Sequence, residues 1–101
     1  MSTDPGKRKH DRKQFFAEAS LEFSSGKHQA RISEISLGGC YVDSIASVTE
    51  GEPITIAISR NASDSQTFDG EIAYTLPGFG FGIRFTHLTQ EHIDFLRQIT
   101  S

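Results

Sequence analysis

The sequence predicts a mostly β fold: six short strands in an antiparallel β-barrel, one C-terminal α-helix and a flexible basic N-terminal arm. Three observations lead there. Apolar residues alternate with polar ones over most of the chain, which is the period-two signature of half-buried strands. That period gives way to a helical one only near the C-terminus. The 36% hydrophobic content, with eight Phe and two Tyr in 101 residues, suffices for one core and one domain.

Met1 to Lys13 reads as the arm, because Asp4-Pro5-Gly6 runs into a charge cluster without apolar period. The barrel domain is assigned to 14–101. Ala17, Ala19, Leu21 and Phe23 share one face against Glu18, Ser20 and Glu22, giving the first strand. Ser24-Ser25-Gly26 is a turn, and Gln29 to Ile35 is the second strand, with Ala30 and Ile32 on one side. Ser36-Leu37-Gly38-Gly39 interrupts the alternation, which resumes in Cys40, Tyr41 and Val42. Glu50-Gly51-Glu52-Pro53 turns the chain into Ile54, Ile56 and Ile58; Arg60 to Ser65 reads as a polar loop. Phe68, Ile72, Tyr74 and Leu76 then share a face. Pro77-Gly78 leads into Phe79, Phe81, Ile83 and Phe85, opposed by Gly80, Gly82, Arg84 and Thr86.

A helix is placed at 89–99. Thr89 suits its N-cap, and Glu91 lies in the first turn, where the helix dipole favours an acid. His92, Phe95, Leu96 and Ile99 fall at i, i+3, i+4 and i+7, so one face can be buried. Six strands and one amphipathic helix argue for a sheet closed on itself, with the helix over an opening.

Several function classes drop out. No apolar run is long enough to cross a bilayer, and Met1 to Gly6 lacks the apolar centre of a secretory signal; a cytoplasmic protein without membrane insertion is expected. Cys40 is the only cysteine, so an internal disulfide is impossible. His10, His28, His87 and His92 have no metal-ligand spacing, and neither metal nor cofactor is expected. No base accompanies Cys40, and the acidic pairs Glu50/Glu52 and Asp69/Glu71 fall on turn or solvent positions. No catalytic residue is assigned, and the protein is not expected to be an enzyme.

Charge is distributed unevenly. Residues 1–13 hold five basic and two acidic groups, a net +3, while the rest hold five basic and eleven acidic, a net −6. A cationic arm on an acidic body suits a local anionic ligand, and equally a solvated tail. A DNA- or RNA-binding face would be basic throughout, with aromatics interleaved; here the Phe residues alternate as core positions, and no DNA or RNA partner is expected.

Two short constellations carry candidate chemistry. Arg8 and Arg12, four residues apart, present guanidinium groups able to bond phosphate bidentately and to stack on a purine. Lys7 and Lys9 flank Arg8 as secondary candidates. Glu34-Ile35-Ser36-Leu37-Gly38-Gly39 offers a carboxylate for a guanine edge, a hydroxyl, and glycines without Cβ atoms that let a ligand approach the backbone. Taken separately, each also fits a basic tail or an ordinary glycine turn.

In this order, Arg8-x-x-x-Arg12 and Glu34-x-Ser36-x-x-Gly39 resemble the two motifs of the PilZ family, RxxxR and Asp/Asn-x-Ser-x-x-Gly. Phe81 to Phe85 and the final helix also look like the family's ending. The resemblance implies a six-stranded PilZ-like barrel that binds cyclic di-GMP. It assigns ligand binding to Arg8, Arg12, Glu34, Ser36 and Gly39, with Gly38 and Tyr74 as secondary candidates. Tyr74 also has the parity of Ile72, which favours core packing. One position departs: Glu34 stands where the family has Asp or Asn. Its extra methylene displaces the carboxylate, and one lost contact costs about 1–3 kcal/mol. The expected function is a non-enzymatic cyclic di-GMP effector that signals to a downstream protein partner as the arm becomes ordered. The alternative is an adaptor on the same barrel that binds a protein without the nucleotide.

Overall fold

Alternation in the sequence becomes an inside and an outside. The computed structural model describes residues 13–61 and 63–100, with side chains over 17–60 and 63–100; Lys7, Arg8, Lys9 and Arg12 lie outside the described residues. Six strands precede one helix: β1 (Lys13–Phe23), β2 (Gly26–Ile35), β3 (Gly39–Asp43), β4 (Pro53–Asn61), β5 (Asp64–Leu76), β6 (Gly80–Thr86) and α1 (Gln90–Thr100). The strands pair in the order β1-β2-β3-β6-β5-β4, and β1 pairs again with β4. The sheet is therefore a closed, wholly antiparallel barrel, which leaves no open edge. Leu21, Ile32, Val42, Ile56, Ile58 and Phe68 fill its interior with essentially no exposure.

The helix closes one side of the core. Thr89 Oγ1 accepts the His92 N–H at 3.2 Å, and the Ile93 N–H donates to the Thr89 carbonyl at 3.0 Å. His92 reciprocates: its Nδ1 accepts the Thr89 N–H at 3.0 Å, a capping box with imidazole in the usual carboxylate position. Because Nδ1 accepts, Nε2 carries the proton and donates to the Thr67 carbonyl at 2.8 Å. The His92 ring lies on Phe68 with centroids 4.5 Å apart, and Phe95 and Phe85 pack on the same Phe68. His92 thus holds the helix to β5.

Three expectations need correction. The expected loop from Arg60 to Ser65 is mostly strand, since Ser59 pairs with Ser65 and Asn61 with Asp64 in a tight hairpin. Arg60 is tied across it to Asp64 at 2.5 Å and to Gln98 of α1 at 2.5 Å. Phe79 does not join Phe81 in the core but is 74% exposed, because the turn takes it: its N–H donates to the Leu76 carbonyl at 2.9 Å, and β6 starts one residue later. Tyr74 and Leu76 also leave the inner face of β5 and are 37% and 48% exposed. Ile72 pairs with Ile83 whereas Tyr74 pairs with Gly82, so Ala73 is an extra residue that reverses the parity.

Candidate functional site

Two register shifts and one tight turn build a groove on the outer wall of the barrel. In β2, Ile32 pairs with Val42 but Glu34 pairs with Tyr41, leaving Ser33 as the extra residue. Without it Glu34 would share the inward parity of Ile32; with it Ile35 turns into the core and Glu34 faces out. Ala73 does the same for Tyr74 on β5. The result is a row running across four strands: Glu34 on β2, Tyr41 on β3, Gly82 on β6 and Tyr74 on β5.

The corner between β2 and β3 forms the groove's other side. The Ser36 N–H donates to the Gly39 carbonyl at 2.8 Å, and the Gly38 N–H donates to Ser36 Oγ at 3.1 Å. The Ser36 hydroxyl therefore shapes the turn from within and keeps one acceptor lone pair for another partner. The Phe85 N–H anchors the corner by donating to the Gly38 carbonyl at 2.9 Å. At Gly39 the missing Cβ leaves room for the neighbouring strand: an added Cβ would collide with the carbonyl oxygen of Ile83 and lie 3.1 Å from its carbon. Close approach of β6, more than of a ligand, requires glycine at this position.

Glu34, Ser36, Gly38, Gly39 and Tyr74 all line this groove of ≈ 250 Å³, so the described residues singled out from the sequence do converge. A second hollow of ≈ 330 Å³ shares Glu34, Tyr41 and Tyr74 and extends to Ser33 and Leu76. Among the lining residues that the sequence did not single out are Tyr41, Gly82 and Arg84. Tyr41 had a readable signal, since it alternates outward between the buried Cys40 and Val42. Arg84 pairs with Gly39 across the strands and holds Glu71 Oε2 through Nε at 3.0 Å and Nη2 at 2.8 Å. That pair is largely exposed, which keeps a cation at the rim and adds little to stability.

Burial raises the Tyr41 hydroxyl above its ordinary pKa, helped by Asp43, Tyr74 and Glu34. Cys40 points into the core, where burial pushes its thiol to about 12 and removes thiolate chemistry at neutral pH. Among the described residues no group of three or more His, Cys, Asp or Glu side chains is arranged to hold a metal ion, and no helix is long and apolar enough to cross a membrane.

Residues 6–101 match the PilZ domain family, a stretch that includes the sequence around Arg8 and Arg12. The chain belongs to the PilZ domain family. Solved structures share this fold. The Bacillus subtilis inhibitor of motility, MotI/DgrA, is 14% identical with a TM-score of 0.76, over 92% of this chain and 48% of that one. The PilZ domain of Escherichia coli YcgR, solved with c-di-GMP, is 16% identical with a TM-score of 0.75, over 93% and 88%. Borreliella burgdorferi PlzA in complex with c-di-GMP is 20% identical with a TM-score of 0.69, over 94% and 41%. The chain thus spans about half of MotI/DgrA and less of PlzA. At such identities the likeness is one of fold. No curated protein sequence matches this PilZ chain significantly.

Proposed function

We propose that this PilZ domain is a cyclic di-GMP receptor that works without catalysis. The observation that carries this reading is the convergence of Glu34, Ser36, Gly38 and Gly39 on one outward groove, in a chain whose family match begins ahead of Arg8. Two structural neighbours, YcgR and PlzA, were solved in complex with c-di-GMP, which supports the choice of ligand.

In this reading the residues ahead of β1, which begins at Lys13, form the arm and the rest the barrel. Arg8 and Arg12 close on the ligand from the arm, neutralise its phosphates and clasp its guanines, with Lys7 and Lys9 adding charge. Glu34 accepts from the N–H groups of a guanine edge, and the Ser36–Gly39 corner lines the barrel side of the site. Ordering of the arm then presents a new surface to a downstream protein in the cytoplasm, without DNA, RNA or membrane insertion.

Isothermal titration of the chain with cyclic di-GMP tests the reading. Saturable heat is expected, and Arg8→Ala and Arg12→Ala should each weaken it by about tenfold or more. No saturable signal at high micromolar ligand would leave the second reading, a protein adaptor on the same barrel. The longer Glu34 carboxylate is the observation that favours that reading.

A further inference from the structure

Both tyrosines of the chain stand at the groove, and the chain has no tryptophan. Between them lies Gly82, which pairs with Tyr41 on β3 and with Tyr74 on β5. Gly82 faces outward and is nevertheless buried, because the Tyr74 ring lies over it. A Cβ there would overlap that ring, 2.6 Å from its Cζ, and would meet no backbone among its nearest neighbours. Two residues earlier, a Cβ on Gly80 would collide first with the Val42 carbonyl oxygen and would also sit 2.7 Å from the Tyr41 hydroxyl. The rings therefore tile the outer wall of β6, with centroids 6.2 Å apart and planes within 21°. Both hollows of the groove border this pair.

Aromatic side chains beside glycines ordinarily cover a bare strand. That accounts for the presence of a ring, but less well for two nearly parallel rings in the same groove as Glu34 and the Ser36–Gly39 corner. A flat purine placed between those groups meets a π face below it and hydrogen-bonding groups at its edge.

We propose that Tyr41 and Tyr74 are the stacking floor for a purine of the bound nucleotide, and that Gly82 is the positioning residue that lets the Tyr74 ring lie flat. The inference rests on the nucleotide-receptor reading above.

With only these two tyrosines and no tryptophan, tyrosine emission reports on the floor alone. The full chain is titrated with cyclic di-GMP and followed in parallel by calorimetry and by tyrosine emission corrected for ligand absorbance. The expected result is quenching with the same midpoint as the heat. Tyr74→Leu and Gly82→Ala should each weaken binding about ten- to a hundred-fold, while Tyr74→Phe keeps the π face and stays within about threefold of the parent. If Gly82→Ala unfolds by circular dichroism, the Leu and Phe variants at the exposed Tyr74 decide the matter. Saturable heat with unchanged emission, and equal affinities for those two variants, overturns the floor and leaves the receptor standing. Absence of heat from the parent chain overturns the receptor reading, and the floor with it.

Discussion

The two sides of the groove are built in opposite ways. At the β2–β3 corner, the space beside Gly39 is filled by the backbone carbonyl of Ile83, and the Ser36 N–H and one lone pair of its hydroxyl are engaged inside the turn. Across the wall, the space beside Gly82 is filled by a side chain that can swing away. The corner is therefore part of the barrel's architecture, and its glycine is required whether or not anything binds. The tyrosine side is adjustable, so its residues can be chosen for a ligand. Two glycines on one surface need different explanations, and only what occupies the missing Cβ tells them apart.

The largest expected effect tests that contrast directly. Gly39→Ala forces β3 and β6 apart and should cost about 3 kcal/mol or more, lowering the melting temperature by roughly 12–24 °C. Gly82→Ala should cost less than about 1 kcal/mol, because only the ring of Tyr74 has to move. Equal melting temperatures for the two variants would erase the distinction. Next comes Glu34→Asp, which changes the reach of the carboxylate and leaves the turn intact. Cyclic di-GMP affinity should rise by about tenfold, with the melting temperature unchanged. A fall in affinity on calorimetry would mean that the groove is fitted to the longer side chain. Ser36→Ala follows: the Gly38 N–H loses its acceptor, and urea unfolding should register a loss of about 1 kcal/mol.

How far the sequence reveals these two sides follows from what a pattern can record. The inner face was legible, since Leu21, Phe23, Ile54, Ile56 and Ile58 alternate without a break and all are buried. The helix was legible through Thr89 and the spacing of Phe95 and Leu96. The groove was half legible: Glu34, Ser36, Gly38 and Gly39 announced themselves by residue type, Tyr74 entered only as a secondary candidate through the family resemblance, and Gly82 and Arg84 carried no mark. Ser33 and Ala73 carry no mark of being extra residues, because a register shift exists only relative to the partner strand. Hence Tyr74 and Leu76 read as core and are not. The β4–β5 hairpin was missed for another reason: Arg60 and Ser59 are exposed, so no apolar alternation marks the strand there.

The smallest effect concerns the end of β2 away from the groove, where Phe23 pairs with Gly26 while Ile35 closes the other end against Lys13. There Ser24 Oγ donates to Glu52 Oε2 at 2.6 Å, and the Thr49 N–H donates to Glu52 Oε1 at 3.0 Å. These bonds, the Ser24 hydroxyl first, lower the Glu52 pKa below its ordinary value of 4.5. A carboxyl lowered on folding binds fewer protons in the native state than in the unfolded one. Its contribution is therefore present above the unfolded pKa and is lost as pH falls through the lower, folded value. Ser24→Ala should flatten the acid limb of stability against pH, measured by urea unfolding between about pH 5 and pH 2, and leave neutral-pH nucleotide affinity untouched. A change in that affinity would show that the two ends of β2 are coupled, and the groove could then no longer be treated as a local feature of one wall.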